Sequence, residues 1–250
     1  MASYETLAGS YDALTGDVPY EKWADFIEKL WRRSKREVHT VLDLACGTGS
    51  LTWILTGRGY ELISVDGSEE MLCAAREKGE GVGGIAPLFL HQDMTELDLY
   101  DTVDAAVCCL DSINYLLYPS DVKRMLKRLH LFVSPGGMLI FDINTPHKLK
   151  NLDNQVFLDE KDDVYCVWRT EYEKRSRIVT YGMDIFQRRA DGAWERSGEE
   201  HYERAHTVEE LTLWLQEAGF YDIRTYGELK MRAPKDDEQR IFFTCINADH

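Results

Sequence analysis

The run Val41-Leu42-Asp43-Leu44-Ala45-Cys46-Gly47-Thr48-Gly49 carries an apolar strand straight into a glycine turn. Gly47 and Gly49 have no Cβ, so the chain can turn sharply there and bring its amides close to a ligand at the start of a following helix, 50–56. A glycine pair alone is a weak signal. Two acids strengthen it, each closing a later apolar run: Asp66 after Leu62-Ile63-Ser64-Val65, and Asp93 after Leu88-Phe89-Leu90-His91-Gln92. In an open α/β sheet the ligand lies beyond the carboxyl ends of the strands, where an acid roughly 20 residues past the glycine loop takes the ribose hydroxyls. Loop and acids together describe a site for an adenosine-bearing ligand.

In these residues the chain resembles the class I S-adenosylmethionine-dependent methyltransferases. That family's first motif, acid-x-G-x-G-x-G, reads here as Asp43-x-Ala45-x-Gly47-x-Gly49, with alanine for the first glycine. Its ribose acid falls on Asp66 in Val65-Asp66-Gly67-Ser68, and its adenine-proximal acid on Asp93 in Gln92-Asp93-Met94. The fourth strand matches 103–110 and the fifth Pro135-Gly136-Gly137-Met138-Leu139-Ile140-Phe141-Asp142. The closing elements match a helix at 207–219, the strand Phe220-Tyr221-Asp222-Ile223 and a last strand at 240–246, while the likeness fades over 150–203. The resemblance implies S-adenosylmethionine as cofactor, held by Tyr11, Tyr20, Trp23, Asp43, Ala45, Gly47, Gly49, Asp66, Gly67, Met71, Asp93, Met94 and Leu110. A nicotinamide dinucleotide fold would share the glycine loop and the ribose acid. Its fingerprint wants a third glycine where Thr52 stands, and Asp43 would repel a pyrophosphate. A sulfonium cofactor has no pyrophosphate, and its ammonium group suits an acid at Asp43.

Methyl transfer is an in-line displacement at an electrophilic sulfonium carbon, so the protein's main task is to hold acceptor and methyl at about 3–3.5 Å. An oxygen acceptor or a protonated amine additionally needs a base. The family's acceptor side begins just after the fourth strand, at Leu110-Asp111-Ser112-Ile113-Asn114-Tyr115. Asp111 and Asn114 either orient an amine or hydroxyl there or cap a short turn. The amino-methylating class that acts on bases or glutamine amides carries Asn/Asp-Pro-Pro-Tyr/Phe at this place, and this chain does not. A second polar group is Glu199, His201, Tyr202, Arg204 and His206, with strand alternation dividing Tyr202, Arg204 and His206 from Glu199 and His201. A histidine such as His201 could serve as base and Arg204 could clamp a carboxylate, or all could be structural. No His/Asp/Glu spacing here matches a dedicated metal site.

The elements that must position these residues follow from periodicity. Short apolar runs at 39–44, 61–65, 86–91, 103–110 and 137–143 read as strands, with helices near 50–57, 69–78 and 119–132 between them. That alternation predicts an α/β fold: a mainly parallel sheet with helices on both faces. By resemblance the sheet has seven strands in the order 3-2-1-4-5-7-6 with the seventh antiparallel. Residues 1–33 look helical, and the resemblance makes them a lid over the cofactor; plain core packing explains Tyr20 and Trp23 equally well. Within 150–205 the period turns to that of strands over 164–205, with Val179, Tyr181, Met183 and Ile185 alternating and Asp191-Gly192 as a hairpin turn. This predicts a β-rich insertion after the fifth strand, either roofing an acceptor pocket or extending the surface for dimer contacts.

At 250 residues and 44% hydrophobic content the chain reads as one domain. It has no apolar run near eighteen residues, and Met1-Ala2-Ser3-Tyr4-Glu5 is no signal segment, which predicts a cytoplasmic protein that avoids membranes. The 6 cysteines form no C-x-x-C pair and read as reduced core residues. A net charge of −15 repels phosphate backbones and makes nucleic acid an unfavoured partner. The reading is a methyltransferase acting on nitrogen or oxygen of a small molecule, as a monomer or homodimer. The alternatives are an RNA or protein methyltransferase, or a non-catalytic regulatory protein that binds the same cofactor.

Overall fold

The computed structural model describes residues 16, 18–34, 36–79, 83–161 and 163–248. Its centre is β1 (Thr40–Leu44), an apolar strand flanked by β2 (Glu61–Asp66) and β4 (Val103–Cys108), both parallel to it. With β3 (Leu88–His91), β5 (Val133–Asn144), β10 (Phe220–Gly227) and β11 (Arg240–Asn247) they form a sheet ordered β3-β2-β1-β4-β5-β11-β10. β11 runs antiparallel to both its neighbours. The predicted order and the antiparallel last strand are therefore both present.

Side chains alternate across the sheet with a period of two, and each face finds its helices. Leu42, Leu44, Ala106, Cys108, Leu139 and Phe141 meet the apolar stripes of α4 (Pro119–Phe132) and α6 (Val208–Ala218). Val41, Ala105, Val107, Ile140 and Phe242 meet α1 (Tyr20–Ser34) and α2 (Ser50–Gly57). The helix α6 has a complete capping box, Thr207 with Glu210, and stops at Gly219 in left-handed conformation. α3 (Glu69–Lys78) connects β2 to β3, its first turn capped by the Ser68 side chain.

Several boundaries differ from the sequence reading, among them those of three central strands. β3 is only four residues long, β4 stops at Cys108, and β5 starts at Val133 with a register irregularity beside β4. Pro135-Gly136-Gly137 belongs to the stretch matched to the fifth strand, and the strand does run through it, starting four residues before the 137–143 read from the apolar run. A Cβ on Gly137 would stand 2.7 Å from the backbone oxygens of Asp104 and Ser134, so only glycine fits this approach.

After β5 and the short α5 (Pro146–Asn151) comes a separate sheet, β6 (Val156–Lys161), β7 (Val164–Glu173), β8 (Ile178–Arg188) and β9 (Trp194–Arg204), antiparallel throughout and in sequential order. Its β8–β9 turn has Gly192 in left-handed conformation, as Asp191-Gly192 implies. Val179, Met183, Ile185 and His201 are buried on one face. The N-terminal aromatics Tyr4 and Tyr11 lie outside the described residues.

Candidate cofactor and acceptor site

At the carboxyl ends of β1, β2 and β4 lies a cavity of about 290 Å³. The glycine loop forms its floor. Ala45, Gly47 and Gly49 all have positive φ, at 59°, 55° and 71°, so the alanine in the motif's first glycine position bears backbone strain that glycine would avoid. Among the described residues nothing beyond its chain neighbours lies within 4 Å of where a Gly47 Cβ would stand, so none of them crowds that side of the loop. Gly49 sits behind, as the N-cap of α2, and a Cβ there would meet Ala75 at 3.0 Å.

Asp66 fastens this loop to β2. One carboxylate oxygen accepts from Gly47 N at 2.8 Å and the other from Ser68 N at 2.9 Å. Burial raises its pKa against the pull of those amides. Asp43 is buried beneath the loop, where Thr52 Oγ1 donates to it at 2.5 Å; burial pushes its pKa up to about 6. Thr52 thus has a physical reason to stand where a dinucleotide fold has glycine: it satisfies a buried acid. Asp93 caps a 3₁₀ turn, Met94–Glu96, through Thr95 N and Oγ1, both at 2.7 Å.

Tyr20, Trp23, Asp43, Ala45, Gly47, Asp66, Gly67, Met71, Asp93, Met94 and Leu110 all line the cavity. Cys46, Cys109 and Leu116 join them. Tyr11 lies outside the described residues.

The residues suggested for the acceptor side are arranged differently. Asp111 is ion-paired with Arg240 Nη2 at 2.6 Å. Asn114 is fully buried, its Nδ2 donating to the carbonyls of Asn144 at 3.1 Å and Arg204 at 2.9 Å, its Oδ1 accepting from Asn144 N at 3.0 Å. Arg204 donates from Nη1 to Leu117 O at 3.0 Å, and His206 Nε2 lies 2.9 Å from Leu116 O. Burial lowers the His206 pKa to about 4, so its ring is neutral and Nε2 carries the donated proton. His201 lies 2.9 Å from Glu199 and meets the Tyr115 ring edge-on, with centroids 6.0 Å apart. The end of the insertion therefore holds the loop at 115–117, and Tyr115 and Leu116 of that loop line the cavity.

Three charged residues, Asp142, Arg240 and Glu203, escaped the sequence reading. Asp142 is fully buried, accepts from Leu110 N at 2.8 Å and Asp111 N at 3.0 Å, and pairs with Arg240; burial pushes its pKa up to about 6. Glu203, 4% exposed, accepts from Asn144 Nδ2 at 2.8 Å and from the Tyr181 hydroxyl. Burial, with Asp111 nearby, raises its pKa to about 8. The available signal for Glu203 was its register: it shares the strand face of Glu199 and His201. Asp142 closes an apolar run just as Asp66 does. Among the described residues no cluster of His, Cys, Asp and Glu is arranged to hold a metal ion.

Residues 41–137 match the methyltransferase domain family. Over 97% of its length the chain is 30% identical to a putative methyltransferase of Geobacillus sp. (strain WCH70), covering 99% of that protein. It is 34% identical to the putative methyltransferase YqeM of Bacillus subtilis (strain 168), over 96% of this chain and 95% of the relative. It is 27% identical to a glycine/sarcosine N-methyltransferase of Halorhodospira halochloris, over 82% and 73% of the two chains. A solved S-adenosylmethionine-dependent methyltransferase from Clostridium acetobutylicum superposes with a TM-score of 0.88 at 31% identity, over 98% of this chain and 99% of that one. An amino pentose methyltransferase of Micromonospora echinaspora, solved with S-adenosylmethionine bound, shares the fold at a TM-score of 0.77 and 18% identity, over 99% of each chain. The chain belongs to the class I S-adenosylmethionine-dependent methyltransferase family, and S-adenosylmethionine is its cofactor.

The cavity fits that cofactor. An open glycine loop, acids at the ends of β1 and β2, and an apolar wall of Leu51, Met71, Met94 and Leu110 match a molecule that is part nucleoside, part cationic amino acid.

Proposed function

We propose that this methyltransferase acts on nitrogen or oxygen of a small molecule. The observation that carries the reading is the gripped segment 115–117: Tyr115 and Leu116 border the cofactor cavity, while Arg204 and His206 at the end of the insertion hold the adjoining carbonyls. An acceptor bounded by that segment on one side and the insertion on the other is a small one. The likeness to a glycine/sarcosine N-methyltransferase supports an amine within this class.

In this reading Asp66 holds the ribose hydroxyls, Asp93 stands on the adenine side, and Asp43 lies toward the ammonium group. Bound S-adenosylmethionine supplies an electrophilic methyl group. The protein's own contribution is mostly orientation. Asn114 and Arg204 support the loop, and His201, buried and held by Glu199, packs against the Tyr115 ring and positions it. Asp111 acts through its pair with Arg240.

Transfer of labelled methyl from S-adenosylmethionine into a metabolite extract, an RNA fraction and a protein fraction tests the proposal. Label in the metabolite fraction alone is expected. Label in RNA or protein would favour those substrates, and none anywhere would favour a binding protein without turnover.

A further inference from the structure

After β4 the chain bends through two consecutive left-handed residues that are not glycine, Leu110 at φ 58° and Asp111 at φ 53°. Residues with a Cβ resist this conformation and keep it only where their surroundings over-determine it. The surroundings here are an ion-pair triad. The Asp142 carboxylate accepts both amides of the bend, Leu110 N at 2.8 Å and Asp111 N at 3.0 Å. Arg240 pairs with Asp142 and reaches Asp111 Oδ1 at 2.6 Å. Its guanidinium carbon also stands 5.4 Å from the centre of the Trp23 ring. Trp23 and Leu110 both line the cofactor cavity, so a single arginine touches the Trp23 ring and the clamp that holds Leu110.

We propose that Arg240 and Asp142 are positioning residues that set cofactor affinity, by holding the bend at Leu110 and Asp111 against the cavity and tying it to Trp23. The proposal rests on the cofactor placement given above. Arginine suits this work because its planar fork pairs with two carboxylates while its face lies over an aromatic ring. Lysine keeps the charge but offers neither the fork nor the plane. The strain explains why the clamp is needed: without it the bend relaxes toward ordinary backbone and Leu110 leaves its place in the wall.

The test is calorimetric titration of S-adenosylmethionine and S-adenosylhomocysteine into the full chain, its Arg240→Lys variant, the double variant Arg240→Lys with Asp111→Gly, and Asp66→Ala, with thermal melts of each. Arg240→Lys is expected to bind both ligands about tenfold more weakly, since the wall serves both alike. Glycine at 111 adopts the left-handed bend unaided, so the double variant is expected to regain at least threefold. Wild-type affinity in a folded Arg240→Lys protein overturns the proposal, and so does a glycine that restores nothing. A lowered melting temperature with unchanged affinity is the signature of a merely structural ion pair and counts against it equally. If Arg240→Lys does not fold, the same comparison is read from Asp142→Asn with and without Asp111→Gly. Asp66→Ala separates the two readings: if it binds normally the cofactor placement is wrong, whereas its loss of binding beside an unaffected Arg240→Lys removes only the clamp.

Discussion

Among the described residues Glu203 is the acid whose charge the fold resists most clearly. Its pKa of about 8 in the folded chain compares with 4.5 for the free side chain. The folded state thus binds the proton more tightly, so the stabilising contribution is complete below about pH 4.5 and is lost as pH rises through 8. A shift of this size is worth several kcal/mol. Glu203→Gln cannot ionise and keeps an acceptor for Asn144. Its melting temperature, relative to wild type, should therefore rise by about 5 °C or more between pH 6 and pH 9. A pH-independent difference in paired thermal melts would show that Glu203 ionises without penalty. Strand alternation put this residue on the face of Glu199 and His201, but its burial was not legible because its partners, Asn144 and Tyr181, come from other strands. Asp66 and Asp93 were legible for the opposite reason: each closes a local apolar run, and strand ends are where this fold class keeps its ligand.

The elements were readable where a period repeats and less so where the backbone alone decides. The stripes of α4 and the alternation of β8 are properties of neighbouring residues. The course of β5 through Ser134, Pro135 and the glycines depends on β4 lying alongside it, which local sequence does not reveal. Gly137 is the test of that course. With two backbone oxygens at 2.7 Å from a new Cβ, Gly137→Ala has no flexible side chain to displace and must move a strand. It should destabilise the protein by about 2–4 kcal/mol in urea titration, at the upper range for overpacking. A loss under about 0.5 kcal/mol would mean that β5 does not lie so near β4. The insertion was legible as β-rich from β8 and β9. Its first strand was not, because Val156, Phe157 and Leu158 are consecutive apolar residues, all exposed, and show no alternation.

Across the whole molecule the net charge of −15 governs which partners approach. Among the described residues no helix is long and apolar enough to cross a membrane. The basic residues of α4 are partly engaged, Lys123 with Glu217 at 2.8 Å and Arg128 with Asp98 at 3.0 Å, which reduces what they offer to a phosphate backbone. Binding to bulk transfer RNA at physiological salt should accordingly be weaker than about 10 μM with a shallow salt dependence. A submicromolar, steeply salt-dependent affinity in a filter-binding titration would instead point to RNA as the acceptor. The cofactor site itself rests most on Asp66, which joins the glycine loop to β2 and carries the proposed ribose contact. Calorimetric titration of S-adenosylmethionine into wild type and into folded Asp66→Ala tests it directly. Loss of two charge-assisted hydrogen bonds, roughly 2–4 kcal/mol, predicts at least tenfold weaker binding by the variant; equal affinity in the two proteins would contradict the site.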